Sequence, residues 1–377
     1  MTADDGLPVA LAGFLASIQE PAAQFPAQFV RDTARTGLLG ALVPREHGGL
    51  GLDYARFGEL NRAVAERSPS LQSLFTVHGM VCRAVSRWGQ EELRKSLLPD
   101  FADGTATASF ALSEENAGSD VRRITTTARP VAGGWELTGR KRWVTFGETA
   151  DLFLVFATSP AGPVAVLVRR DDPGLRTRPA PATSGFRGSR LADVELAGCH
   201  VPAERLLGRP GTALSHIAAD ALIVGRLSVA FGAWGLARAA LSAATGRAIR
   251  REQFDGPLHR LQLVRGLLAD SAVAVDAAEL LCRRAARALD DRNEWAVAHV
   301  LTAKLAASRA ASAAAATAAQ LHGAEGLVAG SAVDRHVADA RVMEIIEGST
   351  QLLQHLIAEQ QLARFRTTGH IEPPPSR

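Results

Sequence analysis

FALSEENAGSD (Phe110–Asp120) and WELTGRKRWVT (Trp135–Thr145) are the most informative segments of this 377-residue chain. The first is a loop rich in Gly, Ser, Asn and Asp after an apolar run, and such small residues allow a backbone to approach a ligand closely. The second predicts two short strands broken at Gly139, with Trp143 and Thr145 at alternate positions on one face of the second strand. A flat indole beside a hydroxyl suits a flat heteroaromatic cofactor.

The hydrophobic pattern changes on both sides of these segments. Residues 1–108 carry apolar side chains at helical spacing, whereas residues 109–211 contain strand-length apolar runs between Pro- and Gly-rich turns. Residues 212–365 are helical again and rich in alanine, and residues 366–377 are predicted to form a disordered tail. The order of helices, β unit and helices predicts an α+β fold, mostly α, and fits neither a doubly wound α/β protein nor a barrel.

Composition and charge argue against several classes of protein. Hydrophobic residues make up 47% of the chain, enough for substantial cores, and we find no apolar run of the ~20 residues that span a bilayer. The net charge of +3 favours anionic ligands mildly, but no basic tract interleaved with aromatic residues suggests nucleic acid. The absence of G-x-G-x-x-G, H-E-x-x-H, G-x-S-x-G and P-loop motifs argues against nicotinamide Rossmann enzymes, zinc and serine hydrolases, and NTPases.

Cysteine usage and the N-terminal sequence point to a cytoplasmic protein. Cys82, Cys199 and Cys282 lie far apart in the sequence, and we interpret them as reduced core thiols. The first residues, MTADDGLPVA, lack the basic region and the long apolar segment of a secretory signal. We therefore expect a cytoplasmic location, with no nucleic-acid partner, no membrane partner and no metal.

A candidate general base lies in VMEIIEGSTQLLQHLIAEQ (Val342–Gln360). The segment predicts two helical pieces joined at Gly348, with Ser349 or Thr350 capping the second. Glu347 at this joint is placed to point into an apolar cleft, where desolvation would raise its pKa toward the value that a general base needs near neutrality. The alternative interpretation is a solvated helix face that this glutamate shares with the one three residues earlier.

Together with IIEGST (Ile345–Thr350), the two segments quoted first resemble the acyl-CoA dehydrogenase family of flavoenzymes. The resemblance implies bound FAD, an N-terminal helical domain, a middle β domain and a C-terminal helical bundle. It also implies that Glu347 removes the α proton of an acyl thioester while the β hydrogen leaves as hydride to flavin N5. The thioester carbonyl must be polarised by hydrogen-bond donors, and the resemblance assigns this role to the Glu347 N–H and a ribityl hydroxyl of the flavin.

The same resemblance assigns cofactor contacts along most of the chain. The expected contacts are Ser113, Ser119, Trp143, Thr145, Arg251, Phe254, Gln262, Gln320, Gly323, Ser349 and Gln351. Arg251 and Gln320 match segments that meet the flavin of the neighbouring subunit, so the resemblance implies a homodimer or homotetramer. Taken singly, each of these residues has a plain structural explanation as a core, turn or solvated side chain; their order across the chain favours the functional one.

Departures from the family pattern bear on the substrate. Gly225 occupies the position where a subset of the family places its base, so the downstream glutamate is the only base that the motifs supply. Asp255 and Ala324 replace glycines, Ala338 replaces an arginine, and Ile346 replaces a tyrosine that often covers the thioester. These changes resemble the branch found in polyketide biosynthesis, whose members oxidise acyl groups on a carrier protein, including three-carbon units on the way to methoxymalonyl extender units.

The predicted function is therefore FAD-dependent dehydrogenation of a small acyl thioester on a carrier protein or on coenzyme A, with the electron acceptor left open. An ordinary short-chain acyl-CoA dehydrogenase is the first alternative. A flavin monooxygenase or oxidase of the same fold is the second, although members of that class often lack the glutamate. A non-catalytic binding or scaffold protein is the third.

Overall fold

The structure, a computed structural model, describes residues 10–21 and 23–369. It confirms the predicted α+β fold: 60% of the residues are helical, and the two larger sheets lie in the middle of the chain. The helices are α1 (Ala10–Ser17), α2 (Ala27–Ala34), α3 (Tyr54–Arg67), α4 (Pro69–Trp88), α5 (Glu91–Asp103), α6 (Ala219–Arg250), α7 (Gln262–Asp290), α8 (Ala296–His322), α9 (Ala332–Ile345) and α10 (Thr350–Thr368). The strands are β1 (Ala108–Ala111), β2 (Thr127–Val131), β3 (Gly134–Val144), β4 (Leu152–Ala157), β5 (Val164–Arg169), β6 (Leu175–Pro179), β7 (Ala192–Pro202), β8 (Leu206–Leu207), β9 (Glu252–Gln253) and β10 (Gly256–Pro257).

The chain divides into two compact units, which are described separately. Unit one comprises the residues up to Asp53 together with Ser70–Thr183 and Arg187–Gly225. Unit two comprises Tyr54–Pro69, Ser184–Phe186 and the residues from Arg226 onward. The domain boundaries that the sequence suggests, at 108/109 and 211/212, stay predictions.

Unit one contains two four-stranded sheets and the helices that cover one of them. The first sheet has the order β1-β4-β5-β8, with β1 and β4 parallel, and the second has the antiparallel order β2-β3-β7-β6. Leu154 and Phe156 of β4 pack in a core with residues of α4 and α5, whereas Phe153 and Val155 pack against the second sheet. Strand β4 is therefore apolar throughout because both of its faces are buried.

Strand β3 corrects the prediction of two strands broken at Gly139. It is one continuous strand, and the hairpin turn lies before it, at residues 132–133. Its pairing with β7 shifts between Leu137 and Gly139 and again between Lys141 and Val144. A Cβ on Gly139 would come within 2.6 Å of the Thr126 hydroxyl, so this glycine allows a close backbone approach inside a bulged strand rather than ending one.

Unit two is helical apart from the short hairpin of β9 and β10. Helix α8 packs against α7, α9 and α10, and α3 packs against α7. The buried positions of α8 include Ala307, Ala311 and Ala314, whose small side chains leave room for its neighbours. The alanine-rich stretch is thus a packed helix, as the sequence predicts.

Three further sequence predictions concern the cysteines, membrane-spanning segments and the C-terminal tail. The three cysteines are free and buried, as expected. The 38-residue helical stretch Ala213–Arg250 does reach the length and apolarity of a membrane span, contrary to our expectation, but 72% of its apolar window is buried inside the protein, as in a core helix. Helix α10 continues through Thr368 into the predicted tail and ends at Gly369, whose φ is 71°, while residues 370–377 lie outside the described part of the chain.

Candidate active site

The turn between α9 and α10 carries the candidate base. Helix α9 ends at Ile345, and the chain then passes through Glu347 and Gly348, whose φ angles are 55° and 107°. Ser349 begins the next helix as its N-cap, because its hydroxyl accepts a hydrogen bond from the Leu352 N–H. The predicted joint at Gly348 is confirmed, and the cap is Ser349 rather than the following threonine.

Two cations of unit two hold the backbone of this turn. A left-handed backbone at a non-glycine residue such as Glu347 costs about 1–3 kcal/mol, so neighbouring groups must stabilise it. Arg226 Nε donates to the Glu347 carbonyl at 3.0 Å, and Lys304 Nζ donates to the Gly348 carbonyl at 2.7 Å. Arg226 follows Gly225 in α6, so the family subset's alternative base position supplies no side chain here.

The Glu347 carboxyl group itself has no hydrogen-bond partner on Oε2, which is buried among the described residues. Burial raises the pKa of Glu347 to about 7, and the positive charges of Arg226 and Lys304 oppose that rise. Burial also lowers the pKa of Lys304 to about 8, against the opposite effect of the glutamate. A carboxyl group with a pKa near neutrality and a free oxygen can accept and release a proton at ordinary pH.

The competing interpretation, a solvated face shared by Glu344 and Glu347, does not match this arrangement. Glu344 accepts a hydrogen bond from the Arg341 guanidinium at 2.8 Å and is an ordinary ion-paired helix residue. Glu347 lies beyond the helix end, and its N–H donates to no backbone carbonyl within the described residues. The turn therefore offers an acceptor and a donor side by side.

Unit one contains a second buried carboxylate, which sequence reasoning missed. Glu114 accepts five hydrogen bonds: two from Thr125, two from Thr126 and one at 2.6 Å from Lys141 Nζ. Burial alone would raise its pKa, but the bonds from Lys141, Thr126 and Thr125 lower the pKa of Glu114 to about 2. Lys141 is completely buried and also donates to the Leu112 carbonyl. The pair ties the loop after β1 to strand β3.

Three predicted cofactor contacts of unit one, Ser113, Trp143 and Thr145, lie in the two segments that this pair joins. The Arg142 N–H donates to the Ser113 carbonyl at 2.9 Å, and the Ser109 hydroxyl donates to the Thr145 carbonyl at 2.7 Å. Trp143 has φ 58° within the bulge and is 44% exposed. Thr145 follows the end of β3 at Val144, and the bulge precedes it, so the prediction that Trp143 and Thr145 share a face by simple alternation stays a prediction.

A cavity of about 460 Å³ in unit two brings together Arg251, Gln320 and Gly323. Leu263 and Leu267 of α7 form an apolar wall, and α7 begins without a side-chain cap, which leaves its first N–H groups free for an anion. Such a volume with a few polar groups is typical of small-molecule sites. The guanidinium groups of Arg247 and Arg251 suit a diphosphate, and the apolar wall suits an adenine joined to it.

The remaining predicted contacts lie outside that cavity's lining. Phe254 is 86% exposed at the tip of the β9–β10 hairpin, where it and Asp255 both have positive φ angles of 53° and 61°. Gln262 is the first residue of α7 and is exposed. Ser119 is exposed in the loop after β1, and Gln351 is exposed in the first turn of α10.

The residues present fit FAD. The exposed indole of Trp143 in unit one suits a flavin ring, and the arginine-lined cavity of unit two suits the adenosine diphosphate portion. Within the described residues, no three His, Cys, Asp or Glu side chains are grouped to hold a metal ion.

Family models of acyl-CoA dehydrogenases match three consecutive parts of the chain. The N-terminal domain matches residues 10–105, the middle domain residues 109–199 and the C-terminal domain residues 215–362. The chain therefore belongs to the acyl-CoA dehydrogenase family, and it is an FAD-dependent oxidoreductase acting on CH–CH groups.

Individual relatives and a solved structure are similar to the chain over most of its length. The human mitochondrial short-chain specific acyl-CoA dehydrogenase is 34% identical over 349 residues, which cover 91% of this chain and 84% of that protein. An acyl-CoA dehydrogenase of Bacillus subtilis is 33% identical over 353 residues, covering 92% and 93%. The solved structure of FkbI, for biosynthesis of the methoxymalonyl extender unit of the FK520 polyketide, is 34% identical with a TM-score of 0.86, covering 94% of this chain and 98% of FkbI.

Proposed function

We propose that this enzyme oxidises a small acyl group carried on an acyl carrier protein, and that Glu347 is the base that removes the α proton. One observation carries the assignment of the base: Oε2 of Glu347 is buried without a hydrogen-bond partner in the described structure, and burial raises the pKa of this carboxyl group to about 7. The similarity to FkbI supports the carrier-bound substrate. Ile346, in place of a tyrosine that often precedes the base, is consistent with it.

The reaction requires the chain to accept one proton and to stabilise one developing negative charge. The α C–H of a thioester is a weak acid, so a base works best when its pKa lies near the operating pH. The Glu347 carboxylate accepts this proton, and the Glu347 N–H is free to donate to the thioester oxygen as charge develops there. Arg226 and Lys304 keep the acceptor and the donor in place by holding the two carbonyls of the turn. FAD, when bound, supplies the acceptor for the β hydrogen.

Cofactor binding is assigned to the two sets of residues described above. Ser113, Ser119, Trp143 and Thr145 are the contacts that unit one offers to the flavin ring and its adjoining phosphate, and Ser349 and Gln351 are cofactor contacts of unit two. The cavity residues Arg251, Gln320 and Gly323, with Phe254 and Gln262 beside them, bind the adenosine diphosphate portion of the neighbouring subunit's FAD. This assignment makes the working enzyme a homodimer or homotetramer.

A comparison of matched thioesters tests the substrate. The same short acyl group is offered to the pure enzyme on a carrier protein and on coenzyme A, and bleaching of the flavin absorbance is followed under anaerobic conditions. Faster reduction by the carrier-bound group is expected. Faster reduction by the coenzyme A ester would remove the carrier part of the proposal.

That second outcome would instead support a short-chain acyl-CoA dehydrogenase. The 34% identity to the human short-chain enzyme favours this candidate. In either case, reduced enzyme should release little hydrogen peroxide in air, because Glu347 fits a dehydrogenase better than an oxidase of the same fold.

A further inference from the structure

Arg247 is a cavity residue of unit two that no part of the proposed function uses. It lies in the last turn of α6, and its side chain lines the same cavity as Arg251 and Gln320. Its Nη1 forms an ion pair with Glu325 Oε2 at 2.7 Å, and its Nη2 donates to the His322 carbonyl at 3.5 Å. Its Nε is buried without a partner among the described residues. The guanidinium therefore has donor capacity left over.

The two members of this ion pair differ in their contact with solvent. The Arg247 side chain is 19% exposed, whereas the Glu325 side chain is 66% exposed. An ion pair with such an exposed carboxylate contributes little stability, because water solvates the carboxylate nearly as well. A diphosphate offers more negative charge and can accept two parallel hydrogen bonds from one guanidinium. Exchange of Glu325 for a diphosphate is therefore favourable.

The surroundings of Arg247 add to the attraction for an anion. The uncapped start of α7 contributes Leu263 and Val264 to the lining, and the N–H groups of this first turn point along the positive end of the helix dipole. Asp255 adds a negative charge to the hairpin that follows Arg251, where the family pattern has glycine. Arg247 adds a second guanidinium to that of Arg251 in the cavity lining.

We infer that Arg247 is a direct ligand of the cofactor's diphosphate, and that Glu325 is a counter-ion that the diphosphate displaces on binding. The inference rests on the proposed assignment of this cavity to the adenosine diphosphate portion of a neighbouring subunit's FAD. Glu325 then lowers cofactor affinity by competing for Arg247, and it keeps the guanidinium paired when the cavity is empty.

Opposite effects of two substitutions test the inference. Arg247→Met removes the ligand and should weaken FAD binding roughly tenfold or more. Glu325→Gln removes the competitor and should strengthen FAD binding roughly two- to fivefold. Both substitutions break the same ion pair, so a purely structural role would change affinity in the same direction in both. FAD release is measured on dilution of each holoenzyme by the rise in flavin fluorescence, beside the thermal stability of each variant.

Controls separate this inference from the proposal on which it rests. Glu279→Gln breaks the exposed Glu279–Arg283 pair on α7, away from the cavity lining, and should leave FAD release unchanged. Arg251→Met should weaken FAD binding if the cavity is the cofactor's. No effect of Arg251→Met would overturn the cavity assignment and the inference with it. Weaker binding in Arg251→Met, with same-direction or null effects of Arg247→Met and Glu325→Gln, would overturn the inference alone.

If Arg247→Met does not fold, Arg247→Lys keeps a positive charge but loses the paired donors. It should bind FAD more weakly than the unsubstituted enzyme, and equal affinity would count against a bidentate contact.

Discussion

Glu114 in unit one and Glu347 in unit two both have buried carboxyl oxygens, yet their surroundings shift their pKa values in opposite directions. Glu114 has five hydrogen-bond donors and a pKa near 2, whereas Oε2 of Glu347 has none among the described residues and burial raises its pKa to about 7. A carboxylate whose oxygens are all satisfied stays ionised and fixes the backbone around it. A carboxyl group left without donors remains ready to exchange a proton.

The cations beside the two glutamates differ in the atoms to which they donate. Lys141 donates directly to the Glu114 carboxylate, so the charge pair is closed. Arg226 and Lys304 donate instead to the carbonyls of Glu347 and Gly348, so they hold the turn without occupying the carboxyl group. The contrast predicts different effects of substitution at the two sites. Substitution of Glu347 should abolish the chemistry, whereas substitution of Glu114 should weaken folding and cofactor retention.

Glu347→Gln should have the largest effect. Loss of a general base typically costs on the order of 10²–10⁴-fold in rate, so substrate-driven flavin reduction should fall by about 10³-fold. The variant should keep its yellow colour and its fold, because glutamine has nearly the same shape and Oε2 of Glu347 forms no hydrogen bond that the substitution would break. Stopped-flow absorbance under anaerobic conditions measures the rate.

Glu344→Gln provides the matched control, since Glu344 lies three residues earlier and forms an ion pair with Arg341. Its rate should stay within about twofold, because the substitution removes only an ion pair with the exposed Arg341 guanidinium. Full activity in Glu347→Gln, or an equal loss in both variants, would show that the base has been misplaced.

Glu114→Gln should destabilise unit one strongly and leave the chemistry of any folded enzyme intact. Lys141 would remain buried without its carboxylate, and breaking such a pair costs about 3–5 kcal/mol. Urea unfolding followed by circular dichroism measures the loss, and FAD should also dissociate more readily. Because the pKa of Glu114 is lowered, its contribution is complete above about pH 4.5 and is lost as the pH falls toward 2.

Glu115→Gln is the control for that substitution. Glu115 is adjacent, is 71% exposed and forms only a 3.3 Å contact with Arg142. Its stability should change by less than about 0.5 kcal/mol. Similar losses for Glu114→Gln and Glu115→Gln would mean that the buried pair does not organise the loop.

Lys304→Met should shift the pH dependence of flavin reduction. The ammonium group opposes the rise in the pKa of Glu347, so its removal should raise that pKa further. The base acts when ionised, and the rate therefore rises as the pH passes its pKa. In Lys304→Met this rise should move to higher pH, with a several-fold lower rate at pH 7 that recovers in alkali. A profile unchanged from that of Lys304→Arg would contradict the charge effect.

Ser349→Ala should have the smallest effect. Loss of an N-cap hydroxyl typically costs about 1 kcal/mol, and the hydrogen bond to the Leu352 N–H is the one removed. Thermal unfolding should show a modest decrease, and flavin reduction should slow only slightly because the cations still hold the turn. Thr350→Ala should be closer to neutral, and the reverse order of the two variants would place the cap at residue 350.

The sequence predicts the features of both glutamate regions that depend on local pattern. The joint at Gly348 and the capping hydroxyl follow from side-chain type and position within a few residues, and the structure confirms both. The continuity of β3 cannot be predicted from the local pattern. A glycine such as Gly139 favours a strand break unless its close approach to Thr126 is known. The partner of Glu114 is equally hidden: Lys141 lies 27 residues away and reaches it only through the bulged pairing of β3.

One local signal for that buried pair does exist. Lys141 lies two residues from Gly139 and two from Trp143, on a strand whose alternation places it inward, and a lysine at an inward position needs an anionic partner. The pattern does not specify which acid supplies the charge. For Lys304, within the alanine-rich α8, helical periodicity places it on the buried face, but its carbonyl partners belong to a turn 44 residues away.

Direct titration of the Glu347 carboxyl group tests the central claim. Infrared difference spectra between the ¹³C-glutamate-labelled enzyme and its Glu347→Gln variant isolate this carboxyl band between pH 4 and pH 9. The protonated band should persist well above pH 5 and give way to the carboxylate near pH 7, while Glu114 stays ionised throughout the range. A Glu347 carboxylate already fully formed at pH 5 would contradict the account.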